Sequence, residues 1–247
     1  MTHDNDGSPD LTRGMRLLWR AEGGARRGPK PALDLDRIVS AAIEIADADG
    51  LTGLSMRKVA ERLGVGTMSL YTYVPAKAEL VSLMLDAVDA EGVLPHTVEG
   101  SWRAKTESWA REDWVLYHRH EWTLHASGRH PLGPNTMRRF DSALRSLAAT
   151  GLPEAEIVAV ADVIDTYIRG MARRSVEMRE REQRTGVSET QWWAEHGPML
   201  DEYLTGEAFP AVREVRAAGA FESELDSFEY GLQRILDGVE ARIGAAG

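Results

Sequence analysis

Residues 55–74 read SMRKVAERLGVGTMSLYTYV, and this stretch decides the fold. Ser55 suits a helix cap, and Met56, Val59, Ala60 and Leu63 follow at the i, i+3, i+4, i+7 spacing of one helical face. Ala60 is small where a second helix would cross, and Gly64 suits the left-handed turn that ends the first. A short helix from about Thr67 to Tyr73 follows, and Val59, Leu63, Val65, Leu70 and Tyr73 fall where such a pair needs apolar surface. The pattern is a helix-turn-helix, whose second helix presents its N-terminal residues outward and can enter a major groove.

The same period continues on both sides. Leu35, Ile38, Val39, Ala42, Ile45 and Ala46 form the apolar face of a helix capped by Asp34, stapled by Leu33 on Ile38 and ended at Gly50. Pro75 opens another, to about Glu91, with Leu80, Leu83, Met84, Ala87 and Val88 on one side, and Gly92 and Pro95 mark a boundary. Beyond it the spacing predicts helices over about 101–119, 135–149 and 153–184, less regular pieces over 188–218, and a last helix from Phe221 to Ile243. Strand signals are lacking: there is no period-2 alternation and no Asn-Gly or Asp-Gly hairpin between β-branched runs. The expectation is an all-α chain with a flexible extension over 1–33, which holds one short amphipathic piece (Met15, Leu17, Leu18, Trp19). A three-helix head follows over 34–91, then a larger helical body over 92–247.

Composition removes several function classes. The 247 residues include no cysteine, which excludes disulfide scaffolds, thiolate metal sites and cysteine nucleophiles and fits a cytoplasmic location. No run of 18 apolar residues occurs and the N-terminus lacks a signal-peptide pattern, so no membrane partner is expected. The net charge of −10 argues against coating nucleic acid by bulk charge. Yet residues 26–77 carry eight basic side chains against six acidic ones, a mildly basic head on an acidic body. His118, His120, His125 and His130 do not place three ligands on one helical face, and no HExxH, GxSxG, Walker or dinucleotide motif is present. Neither metal nor cofactor is expected, and the chain does not read as an enzyme.

Residues 35–91 resemble the DNA-binding domain of the tetracycline-repressor (TetR) family, with LGVGTMSLYTYVPAKAEL (63–80) as the hallmark. RHPLGPN (129–135) and FEYGLQRILDG (228–238) are similar to the regulatory domain of the tetracycline repressor's own branch. The resemblance implies that Arg57 reaches a groove edge, that Thr67, Met68 and Ser69 face bases, and that Tyr71 and Tyr73 bind phosphate with Lys77 adding a cation. Ser55 caps the preceding helix, whose first N–H groups lie near phosphate. Two positions depart from the family pattern: Gly66 stands where a capping Ser or Thr is common, and Thr72 where longer polar residues read bases, so the operator sequence is not deducible. Each role has a plainer counterpart. Tyr73 fits a core position, Arg57 a solvated face, and Arg26, Arg27 and Lys30 either a minor-groove arm or a solubilising tail.

For the body, two amphipathic stripes suit a four-helix bundle across a two-fold axis. Ile157, Ile164 and Ile168 mark the long helix and Phe228, Leu232, Ile235 and Val239 the last one, with Gly231 and Gly238 permitting close approach. The alternative is that both stripes pack within one chain. The resemblance further implies an effector pocket, for which Trp114, His118, Trp122, Tyr167 and Met171 are the candidates. The resulting expectation is a homodimeric repressor released from a palindromic double-stranded DNA operator by a small, mostly apolar effector. An effector-independent DNA-binding regulator and an all-helical enzyme fit the same patterning.

Overall fold

The computed structural model describes residues 11–21, 33–126, 132–204, 209–223 and 225–245. Among these residues all regular structure is helical. In chain order the helices are α1 (Leu11–Ala21), α2 (Leu35–Gly53), α3 (Met56–Leu63), α4 (Thr67–Tyr71), α5 (Lys77–Asp89), α6 (Trp102–Arg119) and α7 (Trp122–His125). They continue as α8 (Pro134–Ala148), α9 (Glu154–Thr185), α10 (Glu189–Tyr203), α11 (Pro210–Ala217) and α12 (Ser227–Gly244). Short 3-10 turns stand at Pro95–Thr97 and Ala220–Glu222.

Local chemistry sets the head. The Asp34 carboxylate accepts from the Arg37 N–H at 2.9 Å and Ser55 Oγ from the Lys58 N–H at 3.2 Å, so each side chain satisfies an otherwise orphaned donor. Gly50, at φ +68°, breaks α2 before its last turn. Gly64, at φ +69°, turns the chain between α3 and α4, and the Val65 N–H closes that turn on the Ala60 carbonyl at 3.0 Å. Ile38, Ala42, Val59, Leu70, Val74, Leu80 and Met84 are wholly buried where α2 to α5 meet. Full burial of each large aliphatic side chain contributes roughly 1.5–3 kcal/mol.

The expectation of a flexible extension through residue 33 is corrected over residues 11–21. They form α1, which packs on α5, buries Leu18 and donates the Trp19 indole N–H to the Leu132 carbonyl at 3.0 Å. An apolar stripe one helical turn deep found a groove to fill. The basic residues Arg26, Arg27 and Lys30 lie outside the described residues.

In the body, α6, α8, α9 and α12 enclose a second core containing Trp109, Tyr117, Leu147, Ile164, Ile168 and Leu232. The last helix begins at Ser227, later than its periodicity suggested, because Asp226 caps it by accepting from the Glu229 N–H at 3.0 Å. Head and body are not separate. Leu116 and Trp122 of the body are buried in the head's core cluster. The Trp122 indole N–H donates to Asp47 Oδ1 at 2.8 Å, and buried His120 places Nδ1 2.8 Å from the same oxygen and Nε2 3.3 Å from Glu91 Oε2.

Four of the seven residues expected at a dimer interface belong to the protomer's own core. Ile164, Ile168 and Leu232 have no exposed surface, Phe228 is buried beside them, and Ile157, Ile235 and Val239 are half-buried against or next to that core. The most apolar face of each helix is satisfied first within its own chain, where the partner helix is tethered. The apolar side chains α9 and α12 leave outside are others, among them Val163 and Tyr230, 51% and 50% exposed.

Candidate nucleic-acid interface and body cavity

The head presents one face assembled by α3, the turn and α4. Met68 is 77% exposed, Ser69 and Tyr71 are exposed, and Thr67 is half-buried at the start of α4. An apolar side chain that far into solvent on a five-residue helix has no folding role. Arg57 on α3 is exposed, its Nε 3.3 Å from Glu61, a solvent-exposed pair that contributes about 0–1 kcal/mol and is readily exchanged for another anion.

Three expected contacts are already engaged with the protein's own backbone. The Tyr73 hydroxyl donates to the Leu33 carbonyl at 3.1 Å, Lys77 Nζ donates to the Leu51 carbonyl at 3.0 Å, and Thr72 Oγ1 donates to the Ser69 carbonyl at 2.7 Å. Here Tyr73 and Lys77 brace the α4–α5 corner against both ends of α2, and Thr72 closes the end of α4. Lys77 keeps two further N–H donors for an anion. Gly66 leaves α4 without a side-chain cap, as its departure from the family pattern implied.

A cavity of about 590 Å³ lies between α5, α6, α8 and α9. Its walls include Leu85, Trp109, Leu116, Tyr117, Phe140 and Val158. Its inner polar group is a buried ion pair: Asp113 accepts from the Trp109 indole N–H at 2.8 Å and from Arg139, which also lies 3.9 Å from Asp89. Burial pushes the Asp113 carboxyl up, with Arg139 and the Trp109 donor opposing. Burial pulls the Arg139 guanidinium down, but the Asp113 and Asp89 carboxylates outweigh it and the net shift is upward. Burial also raises the Tyr117 phenol well above its ordinary range, with the Arg169 guanidinium 5.3 Å over its ring opposing. A neutral phenol beside a fixed ion pair gives the wall both a donor and an aromatic face.

None of the five expected effector residues lines this cavity. Trp114 packs on Phe228 with ring centroids 4.4 Å apart, and the Tyr167 hydroxyl donates to the Phe228 carbonyl at 2.9 Å. His118 sits between the Trp114 carbonyl at 2.7 Å and Ser175 Oγ at 3.0 Å, Met171 packs on the body core, and Trp122 belongs to the head core. Helices α6 and α9 each have two partly apolar faces, and the aromatic-rich face is the one that meets α12. Charged residues interrupting an apolar helix (Asp113 on α6, Asp165 and Arg169 on α9) were the signal that marks the other.

The link between cavity and head is Asp86 on α5, 5% exposed. Its Oδ1 accepts from the Asn135 and Thr136 N–H groups, both at 3.0 Å, and from Thr136 Oγ1 at 3.2 Å; its Oδ2 accepts from Asn135 Nδ2 at 3.1 Å. The N-cap of α8, Gly133, has no side chain to offer, and Asp86 takes that place from another helix. A Cβ on Gly133 would stand 2.1 Å from Asp86 Oδ1. No periodicity announces such a residue: a carboxylate on an apolar face was its only trace.

Helix α10 and the start of α11 expose large apolar side chains, including Tyr203 and Met199 on α10 and Phe209 at the N-cap of α11, at 72%, 56% and 50%. Among the described residues no group of three His, Asp or Glu side chains is placed to hold a metal ion, and no helix is long and apolar enough to cross a membrane.

Residues 38–84 match the family model "Bacterial regulatory proteins, tetR family", and residues 94–243 match "Tetracyclin repressor-like, C-terminal domain". The chain is 43% identical over 242 residues to the HTH-type transcriptional repressor DrrR1 of Streptomyces coeruleorubidus, covering 97% of this chain and 89% of that protein. It is 28% identical over 214 residues to the class E tetracycline repressor protein of Escherichia coli, covering 83% and 93%. The crystal structure of Streptomyces coelicolor ActR in complex with actinorhodin superposes with a TM-score of 0.71 at 32% identity, covering 89% of this chain and all of that one.

Proposed function

The chain belongs to the TetR family of bacterial regulatory proteins, and from that premise we propose that it is a homodimeric cytoplasmic repressor that a small molecule in the α5/α6/α8/α9 cavity releases from a two-fold operator. One observation carries the reading: α5 follows the exposed reading helix in the chain, lines the cavity with Leu85, Val88 and Asp89, and is tied to α8 through Asp86. A ligand that favours one spacing of these walls thereby favours one attitude of the head. Equal affinity for both states would shift nothing.

Arg57, Thr67, Met68 and Ser69 read base edges in this scheme. Tyr71 and the first N–H groups of α3 hold phosphate, while Tyr73 and Lys77 keep the reading helix braced. So short a reading helix makes few contacts, and two copies supply the missing specificity. The dimer face proposed in place of the buried stripes is the outer side of α9 and α12, around Val163 and Tyr230, where Gly170 and Gly238 have open space beyond their Cα atoms. The apolar surface on α10 and α11 supports a partner there as well.

Selection of duplexes from a random library, followed by sizing of the complex, tests the reading. A palindromic consensus bound by two chains is expected, and Val163→Arg gives single chains that lose the operator. Failure to enrich any sequence, or one chain per duplex, overturns it.

A further inference from the structure

The body cavity carries an uneven set of charges. Among the described lining residues are four carboxylates (Asp89, Asp113, Asp162 and Asp165) and two guanidinium groups, Arg139 and Arg169. Deep inside, Asp89 and Asp113 flank Arg139, with the three side chains 15%, 6% and 12% exposed. On α9, Asp165 lies 3.6 Å from Arg169, and Asp162 follows one turn away, exposed at the cavity wall. Both arginines are thus engaged by carboxylates; Thr136 Oγ1 also lies 2.5 Å from Asp89, whereas on α9 Asp162 adds a second carboxylate beside the Asp165–Arg169 pair.

Apart from Thr123 and Thr136, the rest of the lining is apolar and aromatic, and such low-dielectric walls strengthen an interaction with the surplus charge. An anion entering there meets no free guanidinium, and a neutral ligand leaves the surplus uncompensated. A flat cation gains twice, from the carboxylates and from the aromatic faces of Trp109, Tyr117 and Phe140. We propose that this cavity selects a planar aromatic cation, with its positive centre beside Asp162 and Asp165 and its rings against the aromatic wall. The proposal rests on the effector reading for its biological meaning, but the site stands or falls on binding alone.

Two dyes that share a three-ring xanthene frame, cationic rhodamine 6G and anionic fluorescein, test it by fluorescence anisotropy with the full-length protein. The expected result is a Kd at least about tenfold lower for the cation, a ratio that falls toward unity in Asp162→Asn/Asp165→Asn. Val158→Trp, which fills the cavity from a half-exposed position, removes the binding. Circular dichroism checks that both variants remain folded. Equal or tighter binding of fluorescein, retention of neither dye, or indifference to Val158→Trp overturns the proposal. Operator release is scored in a separate titration: selective dye binding that leaves the DNA complex intact keeps the site and removes the effector reading.

Discussion

Replacing Asp86 separates the shape of the head–body link from its charge. Asp86→Ala removes the acceptor for three bonds to Oδ1 and one to Oδ2, and strands the Asn135 and Thr136 N–H groups at the start of α8. A lost helix cap costs about 1 kcal/mol, and part-buried donors left without acceptors cost about 1–3 kcal/mol more, so a loss of about 2–4 kcal/mol is expected. Asp86→Asn keeps an oxygen where Oδ1 stands, and a rotation of the Asn135 amide restores the second bond only by giving up the exposed one that Asn135 Oδ1 accepts from Arg138, so it loses about 1 kcal/mol. Burial pushes the Asp86 carboxyl up, against the Thr136 and Asn135 donors, which means that its charge is not what the fold favours. The stability linked to its protonation is therefore fully present below the unfolded-state pKa and lost as pH rises through the raised folded-state value. The Asn variant does not titrate, so its stability relative to the parent improves over that same rise. Urea denaturation at several pH values, with operator release by ligand measured in parallel, checks both parts. Equal losses for Ala and Asn, or a loss below about 0.5 kcal/mol for Ala, would refute the idea that a borrowed cap joins α5 to α8.

Other expectations follow from single sites. Tyr71→Phe weakens binding to matched and scrambled duplexes alike, whereas Met68→Ala or Ser69→Ala changes the preferred sequence; competition binding over a duplex panel distinguishes them. Gly64→Ala costs about 1–2 kcal/mol from backbone strain alone, since φ is +69° and no atom lies within 4 Å of the added Cβ; chemical denaturation reads this directly. The hydrogen bond from Arg111, helped by Gln233, holds the Glu229 carboxyl below its usual range, so that stability is present above the unfolded-state pKa and fades as pH falls through the depressed value. Arg111→Ala shifts the acid-unfolding midpoint upward, by under about 1 kcal/mol of stability because the pair is partly solvated.

The head was legible because its signals are local. Ser55, Gly64 and the Val59–Leu63–Leu70 spacing each act within a few residues, and the structure places all of them as read. The body was legible only as helices. Periodicity states that a helix has an apolar face, but not which neighbour covers it, so Ile164, Ile168 and Leu232 looked available for a second chain when they are spent within the first. The same limit applies to the cavity: Trp114 and Tyr167 draw attention by aromaticity, whereas the cavity between α5, α6, α8 and α9 is walled in part by Asp113 and Arg139, which pair across two helices. Asp86 was invisible for that reason too, since the helix it caps begins 48 residues later.

The interlocking of Trp122, Leu116 and Asp47 across the junction limits how such proteins diversify. A graft that exchanged residues 34–91 for a foreign head would strand an indole in search of its acceptor and open a hole beneath it. Hybrid regulators built at that seam should therefore carry α7 along with the transplanted portion. New target sites are more readily reached by point changes on the outward rim of α4, which the interlock leaves alone.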